Sequence, residues 1–322
     1  MRNREVMQLG IGKGKIMRSE IRNENSGIKT VPSQFLIPHS SFLIVNKPVG
    51  VTSQSIDRAI RRQFNVKRVG HAGTLDPFAS GVLPIALGRA TKFIDFLPDE
   101  KSYRAELLFG RSTDTGDCTG QTLESLDDFE MPTSDRIEDA IEKFIGEIEQ
   151  TPPKFSAIKL DGRKAYELAR REIDFDIPTR RVTIDRIELI SLDARSVVID
   201  VDCRKGTYIR SLAIDIGRAL GLPCSLQNLR RTRSGGFSID RAVGLENIEG
   251  GSGSIIDVAE CLTYLPMIEI AIDRRKAFIN GLPTTMHIND ESIVRVNCGG
   301  EFLGVGAIVG GELKAVKLFA LE

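Results

Sequence analysis

From residue 42 onward the chain carries two kinds of apolar pattern. Residues 42–46 and 82–87 are short, nearly unbroken apolar runs of strand length. Residues 103–109 alternate instead, with Tyr103, Ala105, Leu107 and Phe109 on one side. Residues 197–203 repeat that alternation through Val197, Ile199, Val201 and Cys203, and 182–190 reads as a neighbouring strand. Helical spacing separates these runs. Ile56, Ile60 and Phe64 follow Ser53, a candidate N-cap, with Arg58, Arg61 and Arg62 on the opposite face. Ser134 stands in the same position before Ile137, Ala140, Ile141, Phe144 and Ile145, all expected to face inward. A third helix is expected over 208–220, stopped by Gly221. Between the first helix and the run at 82–87 lies a loop, residues 70–81, rich in Gly, Thr, Asp and Pro. With no regular strand–helix–strand beat, the pattern predicts an α+β fold: a mainly antiparallel mixed sheet flanked by helices rather than a doubly wound one.

The two ends read differently. Residues 1–38 show no sustained period and carry seven basic and three acidic residues, so they are expected to form a flexible leader, with Met17 as an alternative start. The fragment Gly12-Lys13-Gly14-Lys15 lacks the spacing and the following hydroxyl of a phosphate loop. Gly250-Gly251-Ser252-Gly253-Ser254 is linker-like, and a helical stretch is expected over 256–262. Placing the boundary near Tyr264 gives a main domain over 39–263 and a small β-rich domain over 264–322. In that last piece Asp273 caps a short helix ended by Gly281, and strands at 293–296, 303–309 and 313–319 are joined by turns at Gly299-Gly300 and Gly310-Gly311. So short a domain is expected to pack against the main one.

Composition narrows the class. The 322 residues are 41% hydrophobic and 27% charged, the balance of a folded globular chain, which excludes disordered and collagen-like classes. No window approaches the roughly 18 continuous apolar residues of a membrane span, and no secretory h-region precedes the fold. Five scattered cysteines without a C-x-x-C pair, and three histidines, argue against a metal centre or a disulfide framework and for a reducing, cytoplasmic setting. Formal net charge is zero, but the charge is polarised. Residues 204–233 hold seven basic side chains against Asp215, 58–68 hold five against none, and 113–149 hold twelve acids against Arg136 and Lys143. Such segregation suits a chain with one face toward an anion, although two ordinary solvated faces would give the same counts.

The segment Gly70-His71-Ala72-Gly73-Thr74-Leu75-Asp76-Pro77 is the most informative in the chain. Its glycines permit a close backbone approach to a ligand, and it sets one carboxylate in a turn between strands. Taken alone, an Asp before Pro is a turn-former. Before it stands Lys47-Pro48-Val49-Gly50-Val51-Thr52-Ser53, and after it Lys101-Ser102-Tyr103, Pro152-Pro153-Lys154-Phe155-Ser156-Ala157, Gly206-Thr207-Tyr208-Ile209-Arg210 and Leu229-Arg230-Arg231. In that order and spacing the six segments resemble the TruB-type tRNA pseudouridine synthases, which convert a uridine in the TΨC loop of tRNA to pseudouridine. The segment from Glu301 to Gly306 resembles a PUA-type RNA-binding module.

The resemblance implies a pseudouridine-synthase fold with a small PUA-like C-terminal domain, and an isomerisation of the uridine at position 55. Breaking a C–N glycosidic bond, turning the uracil and rejoining it through carbon oxidises nothing and consumes no water, so no cofactor and no metal is expected. It implies Asp76 as the essential carboxylate, with attack at the sugar, attack at the base and a glycal route all open. It places Arg210 opposite Asp76, where a guanidinium keeps a buried carboxylate charged, and Tyr103 stacked on the target uracil. His71 is implied to fill the stack vacated by the extruded base. Phe155, Lys159 and a basic helix over 163–171 belong to a loop that closes over the RNA; Phe155 stands where Tyr is common, which leaves any role of a hydroxyl there in doubt. Lys47 is implied to position the loop, Tyr208 to pack beside Asp76, Leu229 to contact substrate, and Arg230 and Arg231 to meet phosphates. The implied partner is the tRNA TΨC stem-loop, recognised by shape, with no membrane, no obligatory protein partner and a monomer as default. A secondary tRNA-folding role is compatible with that activity. An RNA-binding protein without activity would show decay at Asp76, Tyr103 or Arg210, and all three are intact. A subunit guided by a separate RNA would carry more basic surface than this chain does.

Overall fold

The computed structural model describes residues 40–156, 158–160, 162–171, 173–250, 254–286 and 292–319; the expected leader and the middle of the linker-like Gly/Ser run lie outside them. The described residues belong to one compact unit. In chain order its elements are β1 (Ser41–Lys47), α1 (Ser53–Gln63), β2 (Val69–His71), β3 (Ser80–Leu87), β4 (Lys101–Phe109), β5 (Arg111–Thr113), β6 (Thr122–Ser125), α2 (Ser134–Glu142) and β7 (Gly146–Gln150). Then follow β8 (Lys159–Leu160), β9 (Arg163–Lys164), α3 (Ala165–Ala169), β10 (Arg180–Leu192), β11 (Ser196–Cys203), α4 (Ile209–Leu220), β12 (Cys224–Ser234) and β13 (Phe237–Ser238). The chain ends with β14 (Ile255–Asp257), α5 (Val258–Cys261), β15 (Met267–Glu269), α6 (Arg275–Ile279), β16 (Thr284–Thr285), β17 (Ser292–Cys298), β18 (Glu301–Val309) and β19 (Glu312–Leu318).

The large sheet runs β14-β1-β3-β12-β4-β11-β10-β7, with β2 on β3 and β13 on β12. Its one parallel pairing joins β12 to β3, at Arg230–Ser80 and Arg231–Gly81. The two apolar patterns of the sequence follow from how each strand is covered. In β4 the side chains of Ala105, Leu107 and Phe109 enter a core shared with α1, α2 and α4, while Arg104 on the other face is exposed. In β1 both faces are covered: Leu43 and Val45 join that same core, and Phe42 and Ile44 join a second one behind the sheet. A strand covered on both sides has no polar phase to alternate with. The second core also takes in Phe302 and Val305 of β18, so the small five-stranded sheet, β15-β17-β18-β19-β16, packs against the large one.

Several expectations are corrected. Thr52, not Ser53, caps α1, accepting from the Ser55 N–H at 3.1 Å. Thr133, not Ser134, caps α2, and Ile145 is 44% exposed because the helix ends before it. The stretch expected to be helical over 256–262 opens as strand β14 and then makes only the four-residue α5. Asp273 lies in a short 3-10 turn, and α6 begins at Arg275 without a side-chain cap. The segment expected as a basic helix over 163–171 is a β8–β9 ribbon followed by five-residue α3. The third helix starts at Ile209, with Tyr208 as its N-cap residue. Strands β7 and β12, for which the sequence pattern gives no expectation, complete the sheet, β12 near its middle.

Candidate active site

Asp76 sits on the loop between β2 and β3, and that loop is tied down on every side. Leu75 and Phe78 drive into the core flanking it. Ser53 accepts a hydrogen bond from Leu75 N at 2.9 Å and donates to Leu75 O at 3.1 Å, which is why its hydroxyl is not free to cap α1. Lys47 is fully buried and donates from Nζ to the carbonyls of Pro48 and Val51, each at 2.8 Å, and of Pro77 at 3.4 Å. Gly50 N donates to Pro77 O at 2.7 Å. Arg231, 1% exposed, reaches across from β12, donating from Nε to Val82 O at 2.7 Å and from Nη2 to Gly73 O at 2.9 Å. Every one of these partners holds backbone, so the carboxylate of Asp76 is left facing the cavity, 33% exposed.

Arg210 comes from the first turn of α4. A cation there opposes the helix dipole, and the side chain is only 3% exposed, so it needs strong partners. Its Nε lies 2.9 Å from Asp76 Oδ2. Nη1 donates to Thr115 O at 2.8 Å and Nη2 to Phe155 O at 3.0 Å. Asp117 Oδ2 stands 3.7 Å from Nη1, while its Oδ1 accepts from Thr119 N and from Thr115 Oγ1, both at 2.9 Å. The turn before α4 is fixed by Gln150 of β7, which donates to Tyr208 O at 3.1 Å and accepts from Tyr208 N at 2.8 Å. The guanidinium of Arg180 lies over the Tyr208 ring, 4.8 Å from its centroid.

These environments shift the titrations in ways that have plain causes. Burial pushes the Asp76 carboxyl above the ordinary carboxylate range; Arg210 opposes that and Asp117 adds to it. Burial pushes the Tyr103 phenol up, opposed by Arg231. Burial lowers Lys47 to about 8, with Asp76 working against the shift.

Asp76, Tyr103, Arg210, His71, Tyr208, Phe155, Leu229 and Arg231 line one cavity of about 750 Å³, within the range of small-ligand sites. Eight cationic side chains (Lys101, Lys164, Arg170, Arg180, Arg204, Lys205, Arg210 and Arg231) border it against two acids, Asp76 and Asp117. His71 holds both ring nitrogens in contacts, Nδ1 with Asp57 Oδ2 at 2.7 Å and Nε2 with Thr74 Oγ1 at 3.0 Å. Lys47 lies beneath the loop. Lys159 and Arg230 are exposed and do not line the cavity. Arg231 corrects the expectation of a surface cluster meeting phosphates: a guanidinium this buried, spent on Val82 and Gly73 carbonyls, holds the loop instead.

Three contributors escape the sequence reading. Asp117 counts there only toward an acidic stretch, yet an acid between Thr115 and Thr119 has hydroxyls at hand to satisfy it when buried. Ser53 reads as a helix cap, and Gln150 gives no signal at all. Among the described residues, no group of three or more His, Cys, Asp or Glu side chains is placed to hold a metal ion.

Residues 61–209 match the family described as TruB family pseudouridylate synthase (N terminal domain), and residues 210–253 match the tRNA pseudouridylate synthase B C-terminal domain. The chain is similar to tRNA pseudouridine synthase B of Azoarcus sp. (strain BH72), 40% identical over 289 residues that cover 87% of this chain and 95% of that one. It is similar to the protein of the same name from Caulobacter vibrioides, 46% identical over 212 residues, 65% of this chain and 68% of that one. Among solved structures it resembles one in the archaeal box H/ACA sRNP Nop10-Cbf5 complex, with a TM-score of 0.67, 26% identity and 88% of each chain covered. A chain in an H/ACA RNP bound to a substrate RNA containing 2'-deoxyuridine gives 0.68 at 24% identity, covering 88% of this chain and 86% of that one, a likeness of fold.

Proposed function

The chain belongs to the TruB family of pseudouridylate synthases, and from that membership we propose that it isomerises the uridine at position 55, in the TΨC loop of tRNA, with Asp76 as the essential carboxylate. It is an isomerase acting on tRNA, with the pseudouridine-synthase fold. In the proposed reaction the C1′–N1 bond breaks, the uracil turns within the cavity and C1′ bonds to C5; the C5 proton is given up and N1 takes one, so that product and substrate have the same composition. Attack of Asp76 at C1′, attack at the base and removal of a ribose proton on a glycal route all require an ionised carboxylate beside an extruded nucleoside.

The observation that carries the assignment is the Asp76–Arg210 pair, 2.9 Å apart in a cavity bordered by cations. Burial raises the carboxyl's pKa and so disfavours its charged form, and the guanidinium opposes that shift. Tyr103 forms the apolar wall against which the uracil stacks. His71, held by Asp57 and Thr74 at the cavity's edge, takes the place of the extruded base in the loop stack. Phe155 donates no hydroxyl; its carbonyl is bound by Arg210, which ties the segment after β7 to the reacting pair. Tyr208 and Leu229 border the base, and Lys159 and Arg230, exposed beyond the rim, meet backbone phosphates. The stand-alone role, as a cytoplasmic monomer without an obligatory protein partner, is supported by the higher identity to the bacterial tRNA enzymes than to the H/ACA chains. Residues 264–322 serve as a PUA-like RNA-binding domain beside a catalytic domain over 39–263.

An unmodified tRNA transcript incubated with the protein tests this, with pseudouridine mapped at nucleotide resolution. The expected product is a single pseudouridine at position 55. Asp76→Asn is expected to bind the transcript like the parent and to lose turnover by at least about a thousandfold, the scale of removing a group used only in the transition state. Appreciable turnover by that variant, or modification elsewhere, overturns the assignment.

A further inference from the structure

The chemistry above gives no role to Lys101, a partly buried lysine of the cavity wall. Lys101 opens β4 two positions before Tyr103, on the same face of the strand, and lines the cavity. Its side chain lies against the Asp76 loop, with Cε 3.8 Å from where a Cβ on Gly73 would stand. The guanidinium groups around it are engaged: Arg210 with Asp76, Arg231 with backbone carbonyls, Arg204 with Glu100, Asp99 and Asp185. Among the described residues the Lys101 ammonium has neither a hydrogen bond nor an ion pair.

Resting on the proposed RNA substrate, we propose that Lys101 is a receptor for a phosphodiester oxygen of the nucleotide extruded into the cavity. A half-buried charge needs a partner, because leaving water without one is costly, and the surroundings do not offer one. From β12 it faces Arg231, a like charge. From β11 it faces Cys203, whose thiol burial pushes up to about 12 and so holds neutral. Asp99 and Glu100, just before β4, are already shared with Arg204. The missing counter-ion therefore enters with the ligand. A nucleoside seated between Asp76 and Tyr103 brings a phosphate on each side, and a lysine takes such a group as a point charge. Burial and Arg231 lower the Lys101 amine to about 8. In the free protein it loses its proton as pH rises through that value, and a bound phosphate restores it, so its contribution to binding fades above pH 8.

A stem-loop RNA of the TΨC arm separates this proposal from the one it rests on. Dissociation constants and single-turnover rates are measured for the full chain, for Lys101→Met and for Lys101→Arg. The RNA carries either native linkages or a neutral methylphosphonate at the linkage 5′ or 3′ of the target uridine. Lys101→Met is expected to weaken native RNA roughly ten- to a hundredfold, the scale of losing a charged hydrogen bond. The methylphosphonate at one of the two linkages should weaken the parent by a similar factor, and the two changes together should cost no more than either alone. Lys101→Arg should keep most of the affinity and lose the decline near pH 8. Independent, multiplying losses at both linkages, or a Lys101→Met protein that binds like the parent, overturn the phosphate assignment. Where Lys101→Met melts far below the parent, the parent and Lys101→Arg pH profiles on native and neutral linkages decide the point. Failure of the parent to modify the native stem-loop overturns the proposed function and leaves the binding comparison to judge Lys101.

Discussion

Arg210 ties three segments of chain together with one guanidinium: the Asp76 loop, the turn holding Thr115 and, at longer range, Asp117, and the segment at Phe155. Asp76 is thereby held in a state the fold alone would not choose, since burial raises its pKa despite that partner. The linkage has a definite sign. Between the ordinary 3.8 and the higher folded value, the native protein binds a proton that the unfolded chain has released. The stabilising share of Asp76 is therefore complete below 3.8 and is lost as pH rises through the folded value. Where the carboxylate is ionised it lowers stability, as a charged group in a proposed reaction centre commonly does. Asp76→Asn, which keeps the shape without the charge, should melt at or above the parent at pH 7. Thermal melts on a pH series check this, and the gap should close toward pH 3.8. A variant melting well below the parent at pH 7 would mean that the ion pair with Arg210 outweighs the burial of the carboxylate.

At the scale of elements, adjacent hydroxyls at the start of α1 have different work. Thr52 caps the helix and Ser53 clamps Leu75. Thr52→Ala should cost about 1 kcal/mol of stability, the usual worth of a cap, with turnover little changed. Ser53→Ala should lower turnover more than stability, because it frees the backbone beside Asp76; chemical denaturation and single-turnover rates on the same two proteins separate the effects. Two hydroxyls in a row before a helical run do not reveal which one caps, so this division was hidden in the sequence. The strands show the same limit. β1 and β4 were legible because their side chains answer to apolar cores. β12 was not: its register slips between Leu226 and Asn228 and again between Arg231 and Arg233, which breaks any period of two. Its buried positions also include Arg231 and Ser234, residue types that read as surface. The arginine is tolerated there because the Val82 and Gly73 carbonyls bind it, a solution visible only once β12 lies beside β3. The proposed trio of Asp76, Tyr103 and Arg210 was legible as motif segments, whereas the supports, Asp117, Gln150 and the Arg231 tether, depend on contacts across the sheet that sequence order does not encode.

Over the whole molecule, the small sheet is fastened to the turn that follows β3, the same strand that emerges from the Asp76 loop. Phe93 in that turn stands 5.9 Å from both Phe302 and Phe319, whose rings are 5.5 Å apart. Arg89 donates to Phe319 O at 3.1 Å, and the Tyr264 hydroxyl donates to Phe96 O. The aromatic contact fixes where the proposed RNA-binding domain stands relative to the cavity, so its worth should depend on how much RNA the substrate contains. On the proposed reading, a stem-loop short enough to engage only the cavity would gain nothing from the second sheet, whereas a full tRNA would reach it. Phe319→Ala removes one ring from the junction, on the side of the large sheet away from the core that flanks the Asp76 loop; it should lower stability by up to about 3–5 kcal/mol, the range for deleting a packed aromatic side chain. Below its melting temperature, kcat/KM on the isolated stem-loop should stay at the parent value and kcat/KM on full-length tRNA should fall. Equal losses on both substrates would place the effect in the cavity itself, and no loss on either would mean that the small sheet bears none of the binding.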